Sequence, residues 1–177
     1  MLSDKMEKAL NQQLNAEWYS SYLYMSMAAY FLSINLNGLA SWMKVQRLEE
    51  MTHALKFYDF INERGGRIIL EQIDKPPTQW ASPLAVFEDT CKHEQKVTGL
   101  IHNLVDLALS ERDHATNAFL QWFVTEQVEE ESSANEVWQK LKLSGNDTNA
   151  LFMIDRELGT RVFTPPPGSA KQGPKVV

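Results

Sequence analysis

The stretch LEEMTHALKFY, residues 48–58, combines helical spacing with two side chains that can bind a metal ion. Its apolar positions recur every three or four residues, which is typical of a helix with one buried face. Glu50 and His53 fall on that same face. A buried carboxylate without a partner costs several kcal/mol, so this pair indicates a polar site inside the protein.

Three other stretches repeat the pattern, each with one carboxylate interrupting an apolar stripe: Glu17, Glu94 and Glu130. A rise of 1.5 Å per residue places all four carboxylates about 18–24 Å from one end of the helices. For any single position, a salt bridge at the rim of the core is the ordinary alternative. Because no Lys or Arg falls on the inward positions, four carboxylates at one level predict a cation site.

Two divalent metal ions would balance four carboxylates, and neutral His53 would supply a nitrogen ligand. Oxygen-rich ligands with one imidazole favour iron or manganese. Structural zinc sites prefer four nitrogen or sulfur ligands, and the chain has a single cysteine. That residue, Cys91, falls on the inward stripe, where a small buried hydrophobic side chain is the simpler interpretation.

The four stretches belong to long helices that glycine and proline separate. The expected helices cover residues 3–33, 38–64, 82–110, 113–145 and, for a short fifth helix, 146–159. Helices of this length need to bury an apolar stripe, which predicts an all-α four-helix bundle. Residues 66–81 can extend to about 50 Å, so we expect a long crossover that leaves helices two and three parallel.

Composition narrows the classes of protein that fit. The 177 residues suit one domain, expected over residues 1–160, with residues 161–177 as a flexible Pro/Gly-rich tail. A net charge of −6 argues against nucleic-acid and anionic membrane partners. A single cysteine, no signal-peptide pattern and no apolar run long enough for a membrane span favour the cytoplasm.

The sequence resembles the ferritins, in their non-haem bacterial and archaeal branch, over residues 1–160. The motifs that carry the resemblance are NAEWYSSYLYMSMAAYF around Glu17, LEEMTHALKFY around Glu50 and His53, HEQ around Glu94, and TEQVEEE around Gln127 and Glu130. The resemblance implies an iron-storage ferroxidase that oxidises Fe(II) with O₂ or H₂O₂. It also implies a hollow shell, typically of 24 subunits, that holds the ferric mineral.

The resemblance further implies a role for each site residue. One iron would be held by Glu17, Glu50 and His53. The second would be held by Glu50, Glu94 and Glu130, with Glu50 as the bridge.

Five more residues receive roles on the same grounds. Gln127 would orient bound oxygen or water, and Tyr24 would supply an electron. A third iron site on the inner face would use Glu49, Glu126 and Glu129. From the residues alone, Tyr24 could equally be a core tyrosine, and the run EQVEEE could be a solvated helix face.

Three positions depart from related families. Thr52 stands where bacterioferritins have their haem-ligand methionine, so no haem is expected. Gln127 leaves the fourth helix without a second Glu-x-x-His motif. Asn117 and Leu120 replace the carboxylates that line a three-fold pore in animal ferritins, which puts iron access by that route in doubt.

Three other functions compete with the iron-storage ferroxidase. A shell without ferroxidase activity would lack the five inner ligands, which are intact here. A DNA-protecting mini-ferritin would carry ligands between subunits and often a basic tail. A monomeric di-iron oxygenase would not need the apolar fifth helix, which suggests packing in an assembly, although that helix could also fold back on its own bundle.

Overall fold

The computed structural model describes residues 1–165, which form five helices and no strand. The helices are α1 (Asp4–Ser33), α2 (Asn37–Glu63), α3 (Pro83–Ser110), α4 (His114–Ser144) and the short α5 (Thr148–Leu158). The predicted four-helix bundle with a short fifth helix is confirmed. The flexible tail was expected from residue 161, but Arg161 contacts α2 through Gln46 and Glu49. Residues 166–177 lie outside the described residues. No described helix is both long and apolar enough to cross a membrane.

Four helices begin at a side-chain cap that accepts a hydrogen bond from a backbone N–H of the first turn. The capping residues are Ser3, Ser82, Asp113 and Asp147. Pro83 follows Ser82 at the first helical position, where its missing N–H has no consequence. These caps explain why the helix starts could be located closely from the sequence.

Helix α2 has no cap of its own and receives one from α5. The Asp155 carboxylate accepts a hydrogen bond from the Leu39 N–H at 2.9 Å. Gly38 permits this approach, because a Cβ there would lie 1.5 Å from the Asp155 carbonyl oxygen. Helix α5 therefore folds back on its own bundle, with Ile154 and Leu158 buried.

The crossover runs along the outside of α1. Asn11 donates to the Arg67 carbonyl at 3.0 Å and accepts from the Ile69 N–H at 2.7 Å. Further along, the Ser26 hydroxyl donates to the Pro77 carbonyl. The crossover thus returns the chain to the end where α2 began.

Contacts at the two ends of the bundle show that α2 and α3 are parallel. Trp42 near the start of α2 packs on Phe87 near the start of α3, with ring centroids 5.1 Å apart. At the opposite end, Arg64 after α2 pairs with Asp113 after α3 at 3.1 Å. The predicted parallel arrangement follows from these two contacts.

Two hydrophobic clusters fill the bundle, and a polar layer separates them. The first cluster contains Met27, Phe31 and Met43, and the second contains Leu10, Phe57 and Ile101. The structure differs from the predicted inward stripe at one position of α3: Thr90 is buried, whereas Cys91 is only partly buried. Neighbouring positions differ by about 100° around a helix, so this expectation for Cys91 was wrong by one residue.

Candidate metal centre

The polar layer contains the four carboxylates and the histidine that interrupt the apolar stripes. Its side chains are at most 5 % exposed and come from all four long helices: Glu17, Tyr24, Gln46, Glu50, His53, Glu94, Gln127 and Glu130. Helical spacing sets this arrangement, because each residue continues an inward stripe that is apolar on both sides of the layer. Among the described ion pairs, no Lys or Arg joins any of the four central carboxylates, so the rim salt-bridge alternative does not apply.

Glu17, Glu50 and His53 form a fully buried group in the layer. A ligand atom from each lies within 4.8 Å of those of the other two. The His53 Nδ1 lies 3.3 Å from the Glu50 Oε2. The Oε2 atoms of Glu17 and Glu50 are buried and have no hydrogen-bond partner among the described residues. Two unpartnered carboxylate oxygens beside an imidazole suit a bound cation.

Glu94 approaches this group from α3. The Tyr24 hydroxyl donates a hydrogen bond to one Glu94 oxygen. The Gln127 amide donates to the Glu94 Oε2 at 3.4 Å and to the Glu94 carbonyl at 3.3 Å. Tyr24 therefore turns its hydroxyl toward the centre, and Gln127 orients a carboxylate within it.

Glu130 completes the layer from α4 and has a partner that the sequence did not reveal. The Gln46 amide donates a hydrogen bond to the Glu130 Oε2. The Gln46 Oε1 in turn accepts a bond of 2.6 Å from Arg161, which follows α5. Gln46 lay on the inward stripe of α2, but no periodic signal pointed to Arg161.

Burial raises the pKa of each central carboxyl group, because the charged form loses its hydration. The pKa of Glu17 rises to about 7 for this reason, although the Gln13 amide opposes the shift by donating to its Oε1 at 2.7 Å. Burial likewise raises the pKa of Glu94 to about 7.

Glu50 and Glu130 have pKa values well above the ordinary range. Burial is the largest cause for both, and the negative charge of Glu94 adds to it. The four groups are thus close enough to repel one another. At neutral pH the metal-free centre retains protons that a bound cation would displace.

His53 is held in its neutral form. Burial lowers its pKa to about 3, and the nearby Lys56 charge contributes. Trp122 and Phe123 pack edge-on to the ring, with centroids 5.4 and 5.8 Å away. The imidazole is therefore fixed in orientation and keeps a lone pair for a metal ion.

The three carboxylates expected at a third site do not meet at one point. Glu49 forms an ion pair with Arg161 at 2.7 Å, and Glu129 is exposed. Glu126 lies 4.0 Å from the His53 Nε2. His53, Glu126 and Glu130 instead offer ligand atoms within 4.8 Å of one another, so the acidic face connects to the centre through His53.

Comparison with known proteins assigns the family. A ferritin-like domain model matches residues 7–144. The non-heme ferritin of Bacteroides fragilis is 46 % identical over 161 residues, 91 % of this chain and all of that protein. The non-heme ferritin of Staphylococcus epidermidis is 40 % identical over 163 residues, 92 % of this chain and 98 % of that one.

Solved structures agree. An open-pore ferritin from the hyperthermophilic archaeon Archaeoglobus fulgidus superimposes with a TM-score of 0.91 at 54 % identity, covering 92 % of this chain and 99 % of that one. A humanized archaeal ferritin gives a TM-score of 0.92 at 56 % identity, with 93 % and 100 % covered. The chain belongs to the ferritin family. Its function is iron storage with ferroxidase activity, and its carboxylate and histidine group is compatible with a di-iron site.

Proposed function

We propose that the polar layer is the ferroxidase centre and that it binds two Fe(II) ions as substrate. Glu17, Glu50 and His53 hold the first, and Glu50, Glu94 and Glu130 hold the second. The observation that carries the assignment is the pair of buried, unpartnered oxygens on Glu17 and Glu50. Two divalent cations offset the four carboxylate charges and provide these oxygens with partners.

Pairing two Fe(II) ions matches the electron count of the oxidant. Each ion gives one electron, so O₂ takes up two electrons and two protons and leaves as H₂O₂. With H₂O₂ as oxidant, the same two electrons and two protons yield two water molecules. Because cation binding displaces protons from Glu50 and its neighbours, protons become available as the centre fills.

Tyr24 and Gln127 assist at the second iron position. The Tyr24 hydroxyl already donates to Glu94, so the phenol is placed to give up an electron and its proton together. Gln127 holds Glu94 through its amide and is placed to orient bound oxygen or water. Neither residue is needed to offset the charge of the metal ions.

Glu49, Glu126 and Glu129 form the acidic route by which iron leaves the centre, with a third metal position along it. Glu126 is near enough to His53 and Glu130 to receive an ion from the second iron position. Glu129 carries the route to solvent on the same side of α4.

The assembled form is a homo-oligomeric shell of about 24 subunits, as the family resemblance implies. The single cysteine favours a reducing compartment, the cytoplasm. Two large apolar side chains of α5, Phe152 and Met153, are 70 % and 73 % exposed. Exposure of this kind suits an interface between subunits. Sedimentation of the purified protein tests the proposal, and a monomeric mass would contradict it.

Glu50→Ala tests the centre itself. As the bridging residue, Glu50 should affect both iron positions, whereas Glu17→Ala should weaken only one. We expect Fe(II) oxidation in the first seconds after mixing to slow by at least about a hundredfold in Glu50→Ala, since residues that only orient ligands already change metal affinity by 10–100-fold. Anaerobic Fe(II) binding gives the stoichiometry. If Glu50→Ala oxidised Fe(II) at the wild-type rate, the proposed ligand set would be wrong.

A further inference from the structure

Arg161 is the first cation along the chain after α5, and it reaches the acidic side of the metal centre. Its backbone N–H donates to the Leu158 carbonyl at 3.3 Å, which fixes the residue against the end of the helix. Its guanidinium carbon lies 4.5 Å above the Trp42 ring. Because Trp42 is buried in the bundle, this stacking directs the guanidinium along α2 toward Gln46 and Glu49.

The guanidinium contacts two residues of α2 at once. One nitrogen donates to the Gln46 Oε1 at 2.6 Å, and the other donates to the Glu49 Oε2 at 2.7 Å. Lysine cannot reproduce this forked contact, because its single ammonium group lacks the planar pair of donors. Arg161 thereby places a positive charge directly on the Glu49 carboxylate.

The contact to Gln46 determines which end of that amide faces the centre. Since the Gln46 oxygen accepts from Arg161, its amino group must point to Glu130, where it donates. Without Arg161, the amide could rotate and place its oxygen against the Glu130 carboxylate. Arg161 therefore influences Glu49 directly and Glu130 through Gln46.

We propose that Arg161 is a positioning residue that holds Glu49 in the metal-free protein and must be displaced before a metal ion can use this carboxylate. This proposal rests on the third metal position proposed above. One Glu49 oxygen lies at hydrogen-bond distance from the guanidinium, and a metal ion on that oxygen would meet the positive charge at short range. The end of α5 thus competes with iron on the route out of the centre.

Zn²⁺ binding to the assembled protein tests the proposal, because Zn²⁺ is not oxidised and each binding step can be followed by calorimetry. Arg161→Gln should tighten the third step roughly tenfold, the equivalent of one charge-assisted hydrogen bond. The first step, at Glu17, Glu50 and His53, should stay unchanged, because none of these residues contacts Arg161. The second step is not a control, because Arg161 also orients Gln46 against Glu130. Arg161→Lys should fall between the two proteins, because it keeps the charge but loses the fork.

Two further variants identify the site. Arg156→Gln removes an exposed α5 charge and should leave all three steps unchanged. Combining Glu49→Gln with Arg161→Gln should abolish the third step. If wild type and Arg161→Gln bound the third ion with equal affinity, the role of Arg161 would be wrong and the third position would remain. The same conclusion would follow if Arg156→Gln tightened the third step as much as Arg161→Gln. Absence of a third step in every protein would reject the third position and, with it, the competition.

Discussion

Carboxylates lie fully buried at the middle of the bundle and partly buried at one end, and their pKa values shift in opposite directions in these two places. At the end, Asp113 accepts bonds of 3.1 Å from both terminal nitrogens of Arg64 and one of 2.7 Å from the Thr116 hydroxyl. Partial burial would raise the pKa of Asp113, but the bonds from Thr116 and Arg64 lower it to about 2. At the middle, burial raises the pKa of Glu94 to about 7.

The difference lies in the charge of the nearest partners. Asp113 has a guanidinium and an N–H of its own helix, so its ionised form is stabilised within the protein. The central carboxylates have amides and a phenol, which donate hydrogen bonds but carry no charge. Within residues 1–165, the protein gives Asp113 a positively charged hydrogen-bond partner but gives none to the four central carboxylates. A metal ion is therefore left to balance their charge. Glu49 is intermediate, since burial raises its pKa and Arg161 opposes the shift.

The largest expected effect is a loss of stability in the metal-free protein as pH rises. Glu17 and Glu94 have folded pKa values of about 7 against an ordinary value of 4.5. A raised folded pKa contributes stability that is complete below pH 4.5 and is lost as pH rises through 7. Ionisation of these groups should therefore weaken the metal-free protein near neutrality, together by on the order of a few kcal/mol, and metal binding should reverse the loss while releasing protons.

The contribution of His53 to stability depends on pH in the opposite direction, so it must be distinguished from that of the carboxyl groups. Its folded pKa of about 3 lies below the ordinary 6.5, so it contributes stability that is present above pH 6.5 and lost as pH falls through 3. Comparing Glu94→Gln with wild type removes this carboxyl group and its repulsion of Glu50 and Glu130, while His53 stays in place. With a chelator present, the difference in thermal midpoint should grow from pH 4.5 to 7 and then level off. A constant difference, like that of the exposed control Glu63→Gln, would contradict the prediction.

A smaller effect is expected at the end of the bundle. Asp113→Asn removes the charge that pairs with Arg64 but keeps an oxygen that can cap α4, so the lost ion pair should cost about 1–2 kcal/mol. Because the wild-type pKa is about 2 against 3.8, the cost should be constant above pH 3.8 and fall as pH drops through 2.

Asp113→Asn also tests whether the end of the bundle is independent of the metal centre. Thermal midpoints of Asp113→Asn and wild type should differ equally with and without Zn²⁺, and the rate of Fe(II) oxidation should not change. If the loss of thermal stability in Asp113→Asn depended on Zn²⁺, the end of the bundle and the metal centre would be coupled, which would contradict the prediction.

Helical spacing predicted the centre because the signal is strong wherever a stripe is otherwise apolar. Glu17, Glu50, Glu94 and Glu130 each interrupt such a stripe, and the rise per residue placed them at one height. The same logic was wrong for Cys91, where Thr90 could equally continue the stripe. The crossover could be predicted from its length, since only a long connection reaches the far end of the bundle.

Arg161 could not be predicted because it belongs to no periodic element. Its position depends on where α5 ends, and α5 is fixed by contacts between distant residues such as Asp155 and Leu39. Helical spacing also places Gln46 on the inward stripe of α2, but the direction of its amide depends on Arg161. Local patterns therefore determine which side chains face the core, whereas long-range packing determines which of them become partners.

The smallest expected effect concerns the acidic route beside the centre. Changing Glu49, Glu126 and Glu129 to Ala leaves the five proposed iron ligands in place, so the first two Fe(II) ions should bind and react at the wild-type rate. Later additions should react more slowly or with an altered iron-to-oxygen ratio, because ions leave the centre less readily. Successive Fe(II) additions with simultaneous O₂ measurement show both quantities. The matched control changes Glu63, Glu71 and Glu88, which are exposed, and removes the same charge. If the inner variant behaves like this control in an intact shell, the three carboxylates only solvate a helix face, and the acidic route is wrong.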